Sequence, residues 1–194
     1  MTNKNKTKIN PVLNLGRIQK PHGLKGELYL TSFGSLLNDI KEGNSLALYE
    51  SRGSKDGFLL EPKFIKSYTF VKAKREKKNI FSLKLLEIET REKAEEIKGT
   101  YAGIDLDDAK KEFPIDENEP YLFHYIGLKV KDDKLNKSIG FIKRIEEAGF
   151  KKWLIIEIND TCQEAMIPLD GPFVKSLDFK NNEIIMADIS EIIS

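Results

Sequence analysis

The sequence predicts a mainly β protein of two small domains, the first a barrel or sandwich with one short helix near its end and the second consistent with a small β-barrel. Three observations carry this. Apolar residues sit at strand spacing on both sides of a glycine-rich turn, with Leu13, Leu15 and Ile18 before it and Leu28 and Leu30 after it. Short segments rich in β-formers then recur along the chain, with turn signals between them. An acidic stretch over 107–120, containing Pro114 and Pro120, parts the sequence into two blocks.

The elements follow in order. Residues 1–11 read as a polar tail, because the lysines and asparagines there precede no apolar signal segment. The first barrel is expected over 12–106. Its opening hairpin turns at Pro21, Gly23 and Gly26: Pro21 fixes its own φ and keeps Lys20 extended. Ser35 to Ile40 suits one helical turn, and Ser45–Tyr49 a strand. Arg52–Gly57 is a loop, and Phe64–Val71 and Ile80–Leu85 are strands. Thr90–Gly99 is the clearest helix. Thr90 can cap it, Glu92 suits its first turn, Lys98 its last, and Gly99 its end. Only Ala94 and Ile97 are apolar, so one narrow stripe docks on something larger. Tyr101–Leu106 returns as a strand.

Residues 107–120 are expected to be a linker, and 121–190 the second barrel. Tyr121–Val130 reads as its entry strand, followed by Ser138–Ile145, Trp153–Ile158, Glu164–Leu169, Phe173–Asp178 and Glu183–Met186. Trp153 starts an apolar run and is expected in the core. If the entry segment is a strand, Tyr121, Phe123 and Tyr125 share one face. That face is either core or contact surface.

Charge separates the blocks further. Net charge is only +1, yet residues 1–36 carry +5, residues 63–84 carry +7 and residues 105–120 carry −5. Two basic blocks point to one face for a polyanion, unless they are only solvated loops. The first clusters Arg17, Lys20, His22 and Lys25 at the hairpin turn with Gly23. Cations and free backbone N–H groups on a rigid turn suit phosphate. Read from the residues alone, this tip is a phosphate site or a well-formed solvated turn. Tyr29, Phe33 and Tyr49 offer stacking surfaces or core.

Several function classes find no support. The sequence has no phosphate-binding glycine loop and no nucleophile elbow. Two histidines and one cysteine give no zinc set. Cys162 has no partner base, and a single cysteine fits a reducing cytoplasm. No apolar run approaches the ~20 residues of a membrane helix. No catalytic residue, metal or cofactor is expected.

Gly16-Arg17-Ile18, then Lys20-Pro21-His22-Gly23-Leu24-Lys25-Gly26-Glu27, resembles the N-terminal signature of the RimM family, the ribosome maturation factors. The Arg91–Gly99 helix segment resembles the one that closes the family's first barrel. The second block resembles the PRC-barrel that ends these proteins, through Ile126-Gly127, Gly140-Phe141-Ile142, Trp153–Ile156, Met166-Ile167-Pro168 and Val174–Asp178 in that order. The resemblance covers residues 12–187. It implies a translation-factor-like barrel followed by a PRC-barrel, in a non-catalytic, monomeric, cytoplasmic assembly factor.

By the same resemblance, the factor binds the immature head of the 30S subunit. There it meets the 3′ domain of 16S rRNA and a ribosomal protein of the head, and it promotes processing and maturation. Arg17, Lys20, His22, Gly23 and Lys25 are the expected RNA contacts. Tyr121, supplemented by Phe123 or Tyr125, is the expected protein contact. The chain departs from the family pattern at Pro120, where a second tyrosine is usual, and at His124 and Lys152, where an aspartate is usual. Two other classes remain beside this one: a PRC-barrel module unrelated to ribosomes, and a barrel enzyme of the flavin-reductase kind.

Overall fold

The computed structural model describes residues 11–187 and 189, except 35, 56, 117, 135, 136, 149 and 160. Residues 1–10 of the expected tail at 1–11 lie outside the described residues, as do Ser35 of the helical turn, Asp56 of the loop, and Ser190. The chain divides into two compact units between Ala109 and Lys110.

In the first unit, β1 (Val12–His22) pairs antiparallel with β2 (Glu27–Ser32). Next come β3 (Ser45–Glu50), the short β4 (Ser54–Lys55) and β5 (Phe58–Leu59), β6 (Lys63–Arg75), β7 (Ile80–Leu85) and β8 (Tyr101–Asp105). The sheet order is β2-β7-β6-β3-β8-β1-β5-β4, and β1 also pairs with β2. Six strands therefore close on themselves, leaving no edge to manage except the appended β4–β5 hairpin. The first strand of that hairpin falls within the expected Arg52–Gly57 loop, and the second follows it. Alternation drives closure: Ile18, Leu28, Leu30, Leu46, Leu48, Leu83 and Leu85 point inward and are almost completely buried.

Helix α1 (Arg91–Glu96) forms where expected. The Thr90 hydroxyl accepts from the Lys93 N–H at 3.3 Å, and Ala94 and Ile97 bury the narrow stripe. The helix end docks on β1, because Gly99 N–H donates to the Ile18 carbonyl and Ile18 N–H to that of Thr100, both at 2.9 Å.

The expected linker is not extended at its start. Residues Leu106–Glu112 form helix α2, and β8 ends one residue early. The Asp105 carboxylate accepts from the Asp107 N–H at 2.9 Å, and acids open the helix while Lys110 and Lys111 end it. Leu106, Ala109 and Phe113 fall at helical spacing and are all buried.

The entry segment of the second unit also differs from expectation. Leu122–Tyr125 is a short helix, α3, not a strand. Gly127, at φ +87°, turns the chain out of it, and β9 (Lys129–Asp132) begins two residues later. Then come β10 (Lys137–Ala148), β11 (Lys151–Ile158), β12 (Glu164–Pro168), β13 (Val174–Asp178) and β14 (Glu183–Met186). Their order, β12-β11-β10-β9-β14-β13, makes a curled half-barrel, with β14 and β9 parallel and the other pairs antiparallel. Leu128, Val130, Ile142, Leu154, Ile156, Ile167, Ile184 and Met186 fill its concave side. Trp153 is a correction: it is only half-buried, opposite Glu146 and Pro168, while Leu154 and Ile156 take the inner positions.

Candidate nucleic-acid interface

The hairpin β1–β2 assembles the predicted basic cluster through a bulge. In a regular strand Arg17 and Lys20 would face opposite sides. The pairing skips Gln19, stepping from Ile18↔Leu30 to Lys20↔Tyr29, and the skip returns Lys20 to the outer face. Arg17 and Lys20 are accordingly exposed and His22 half-exposed, while Ile18 and Pro21 stay buried.

Each cation has a local setting. The Arg17 Nε–H donates to the Gly99 carbonyl at 3.3 Å, and the guanidinium lies 5.4 Å from the centre of the Tyr101 ring. The turn after α1 thus helps set the position of this arginine. The Lys20 ammonium lies 6.0 Å from the Tyr29 ring centre, and the His22 ring sits 4.5 Å from the same ring, tilted by 45°.

The turn itself is fixed from below. Gly23 and Gly26 both adopt φ +71°, in the left-handed region. A Cβ on Gly26 would run into the Ile88 carbonyl, whereas one on Gly23 would meet open space. Lys84, on β7, donates from its ammonium to the carbonyls of Lys25 and Ile88, each at 2.5 Å. The backbone of Lys25 is thereby tied down while its side chain stays exposed. Sequence reasoning missed Lys84, which reads as one more lysine in an alternating strand; only the fold places it beneath the turn.

Of the stacking candidates, Tyr29 joins this cluster. Tyr49 packs half-buried with its ring centre 5.8 Å from that of Phe64, and its hydroxyl pKa is raised by burial and by the charges of Asp105 and Asp108. Phe33 is largely exposed beyond the end of β2.

The second expected site is rearranged. Phe123 and Tyr125 are both buried, so neither is an exposed anchor; helix α3 turns them inward where a strand would have alternated. Tyr121 remains half-exposed. Its ring stacks on Phe123 at 5.3 Å and meets Phe113 edge-on at 6.0 Å and His124 at 5.8 Å. His124, at a family-departing position, is buried with Nε2 2.8 Å from the Phe113 carbonyl. Cys162 is exposed, and among the described residues no group of His, Cys, Asp and Glu is arranged to hold a metal. No helix among them is long and apolar enough to cross a membrane.

A closed six-stranded barrel with a fixed basic turn, followed by a curled β unit with an aromatic cluster, defines a mainly β protein of two units. The family model for the RimM N-terminal domain matches residues 13–109, and that for the RimM PRC barrel domain matches residues 122–192. The chain belongs to the RimM family of ribosome maturation factors. It is similar to the ribosome maturation factor RimM of Ruminiclostridium cellulolyticum, at 27% identity over 89% of this chain and 92% of that one. The RimM of Thermotoga neapolitana is 24% identical over 95% of this chain and 96% of its own. A solved structure of a 16S ribosomal RNA processing protein RimM from Pseudomonas aeruginosa is 21% identical, covering 91% of this chain and 96% of its own, with a TM-score of 0.40.

Proposed function

We propose that the chain is a non-catalytic assembly factor that binds the head of the immature 30S subunit and promotes 16S rRNA processing. The first barrel contacts phosphates of the 16S rRNA 3′ domain through Arg17, Lys20, His22, Lys25 and the backbone at Gly23. The second unit contacts a ribosomal protein of the head, with Tyr121 as the remaining aromatic anchor. The factor works as a cytoplasmic monomer, and its effect comes from binding energy that favours one RNA conformation over others.

The observation that carries this reading is the immobilised basic turn. Lys84 fixes the turn, the Gly99 carbonyl fixes Arg17, and the bulge at Gln19 aligns the cations on one outer face. Preset cations lose little freedom when phosphate arrives. Membership in a family whose relatives are named ribosome maturation factors supports the choice of RNA.

Sedimentation of the tagged full-length chain with ribosomal fractions tests it. The chain should travel with particles of the small subunit, most strongly with immature ones, and leave them as salt rises. Retention at the top of the gradient at low salt would overturn the reading.

A further inference from the structure

The two basic blocks, far apart in sequence, meet on one wall of the first barrel. Strands β1, β2, β7 and β6 are consecutive neighbours around it. Their registers place Lys20 opposite Tyr29, Tyr29 opposite Ser82, and Ser82 opposite Lys74. Leu28 and Leu83 point inward, so these four residues stand outward in one row across the strands. Beside that row, His22 faces Glu27, and Lys72 faces Lys84.

We infer that this outer wall of β1–β2–β7–β6 is a binding track for single-stranded RNA, laid across the strands from Lys20 past Tyr29 to Lys72 and Lys74. The inference rests on the ribosomal reading for the choice of RNA among polyanions. The strand spacing of ~4.8 Å puts the ends of the row on the order of 14 Å apart, a length of chain and not one phosphate. Tyr29 stands mid-row with the His22 ring against it, an aromatic platform flanked by cations, which is how sequence-tolerant sites hold a base between backbone contacts.

Two carboxylates lie on this wall. Glu27 is 4.0 Å from the Lys72 ammonium, and Glu76 is 3.8 Å from that of Lys74 and accepts from the Ser82 hydroxyl at 2.9 Å. Both lysines are mostly exposed, so these long ion pairs hold weakly and phosphates can replace them. The cations Lys20, Lys72 and Lys74 outnumber the two acids, and Lys77 and Lys78 extend the charge at the next turn, while the Lys84 ammonium stays committed to the turn carbonyls.

Titration of a fluorescein-labelled oligouridylate with the full-length chain over a salt series tests this. Lys72→Ala with Lys74→Ala should lower the slope of log affinity against log salt by about 1.4, since each phosphate contact on a single strand contributes ~0.7. Lys72→Arg with Lys74→Arg should keep the slope. Tyr29→Ala should weaken binding about fivefold or more, and Tyr29→Phe should not. An unchanged slope in the double alanine variant, unchanged affinity in Tyr29→Ala, or no binding of the oligouridylate overturns the track. Sedimentation of the same proteins with 30S particles separates the two ideas. Failure of the unaltered chain to travel with 30S particles, beside salt-sensitive oligouridylate binding, removes the ribosomal reading alone.

Discussion

His124 Nε2 lies 2.8 Å from the carbonyl oxygen of Phe113, and the imidazole is buried while its Nδ1 meets no hydrogen-bonding partner. Nε2–H is therefore assigned as the donor and the ring as neutral. The bond ties the segment after α2 to α3, at a position where the family usually has an aspartate.

Burial holds the pKa of His124 below its ordinary value, the Phe113 carbonyl opposes that shift, and the Lys110 charge adds to it. A depressed folded-state pKa means that the unfolded chain binds the proton more readily. The contribution of His124 is then fully present above the unfolded value of 6.5 and is lost as pH falls through the folded value. The melting temperature should drop from neutral to mildly acidic pH more steeply in the unaltered protein than in His124→Asn, which keeps an amide donor and cannot titrate. Parallel curves would assign the acid sensitivity to other groups.

Arg17 and Lys25 are both exposed, so their charges can be removed without opening the barrel. Arg17→Ala with Lys25→Ala should weaken 30S binding and flatten its salt dependence, because fewer counterions are released. Loss of the Arg17 contacts to Gly99 and Tyr101 should shift stability by no more than about 1 kcal/mol, as for an exposed cation–π pair. Binding that stays constant across a salt series contradicts a phosphate role for the turn.

Much of the first barrel is legible in the sequence, since its strands alternate and Thr90 and Gly99 delimit its helix. The bulge at Gln19 is not legible, because strict alternation assigns Lys20 to the wrong face. Helices α2 and α3 are not legible, for two different reasons. Acidic composition outweighed the helical spacing of Leu106, Ala109 and Phe113. Aromatic residues at every second position imitated a strand until Gly127 and the tertiary packing of Phe123 and Tyr125 decided otherwise. The basic turn was legible as a charge cluster, whereas its clamp, Lys84, depended on a contact fifty-nine residues away in sequence.

The exposed segment just after α2, early in the second unit, should be the site of first proteolysis. Leu106, Ala109 and Phe113 are buried, while Pro114, Ile115, Asp116, Asn118 and Glu119 are exposed. Cleavage needs a stretch of chain free to enter a protease. Limited digestion with an acid-directed protease should cut first within 114–120, leaving two folded fragments. A first cut within the strands of either sheet, or fragments that unfold on release, would contradict this.

Tyr121 offers the clearest test of the second unit as a protein-binding surface. Its ring is half-exposed and rests on Phe123, with Phe113 and His124 at its edges, so its orientation is set before any partner arrives. A preset aromatic ring loses little freedom on binding, and such anchors commonly cost about 2 kcal/mol or more when truncated. Pro120 stands where the family usually has a second tyrosine, and Phe123 and Tyr125 are buried, so the proposed contact leaves Tyr121 less aromatic support than is usual. Tyr121→Ala should weaken binding to the ribosomal head protein at least tenfold, and Tyr121→Phe should retain most of it. Each lost aromatic pair also removes about 1 kcal/mol of folding stability, which circular dichroism melting separates from the binding loss. If Tyr121→Ala unfolds the second unit, the ring is a packing residue, and the partner surface lies elsewhere on this unit.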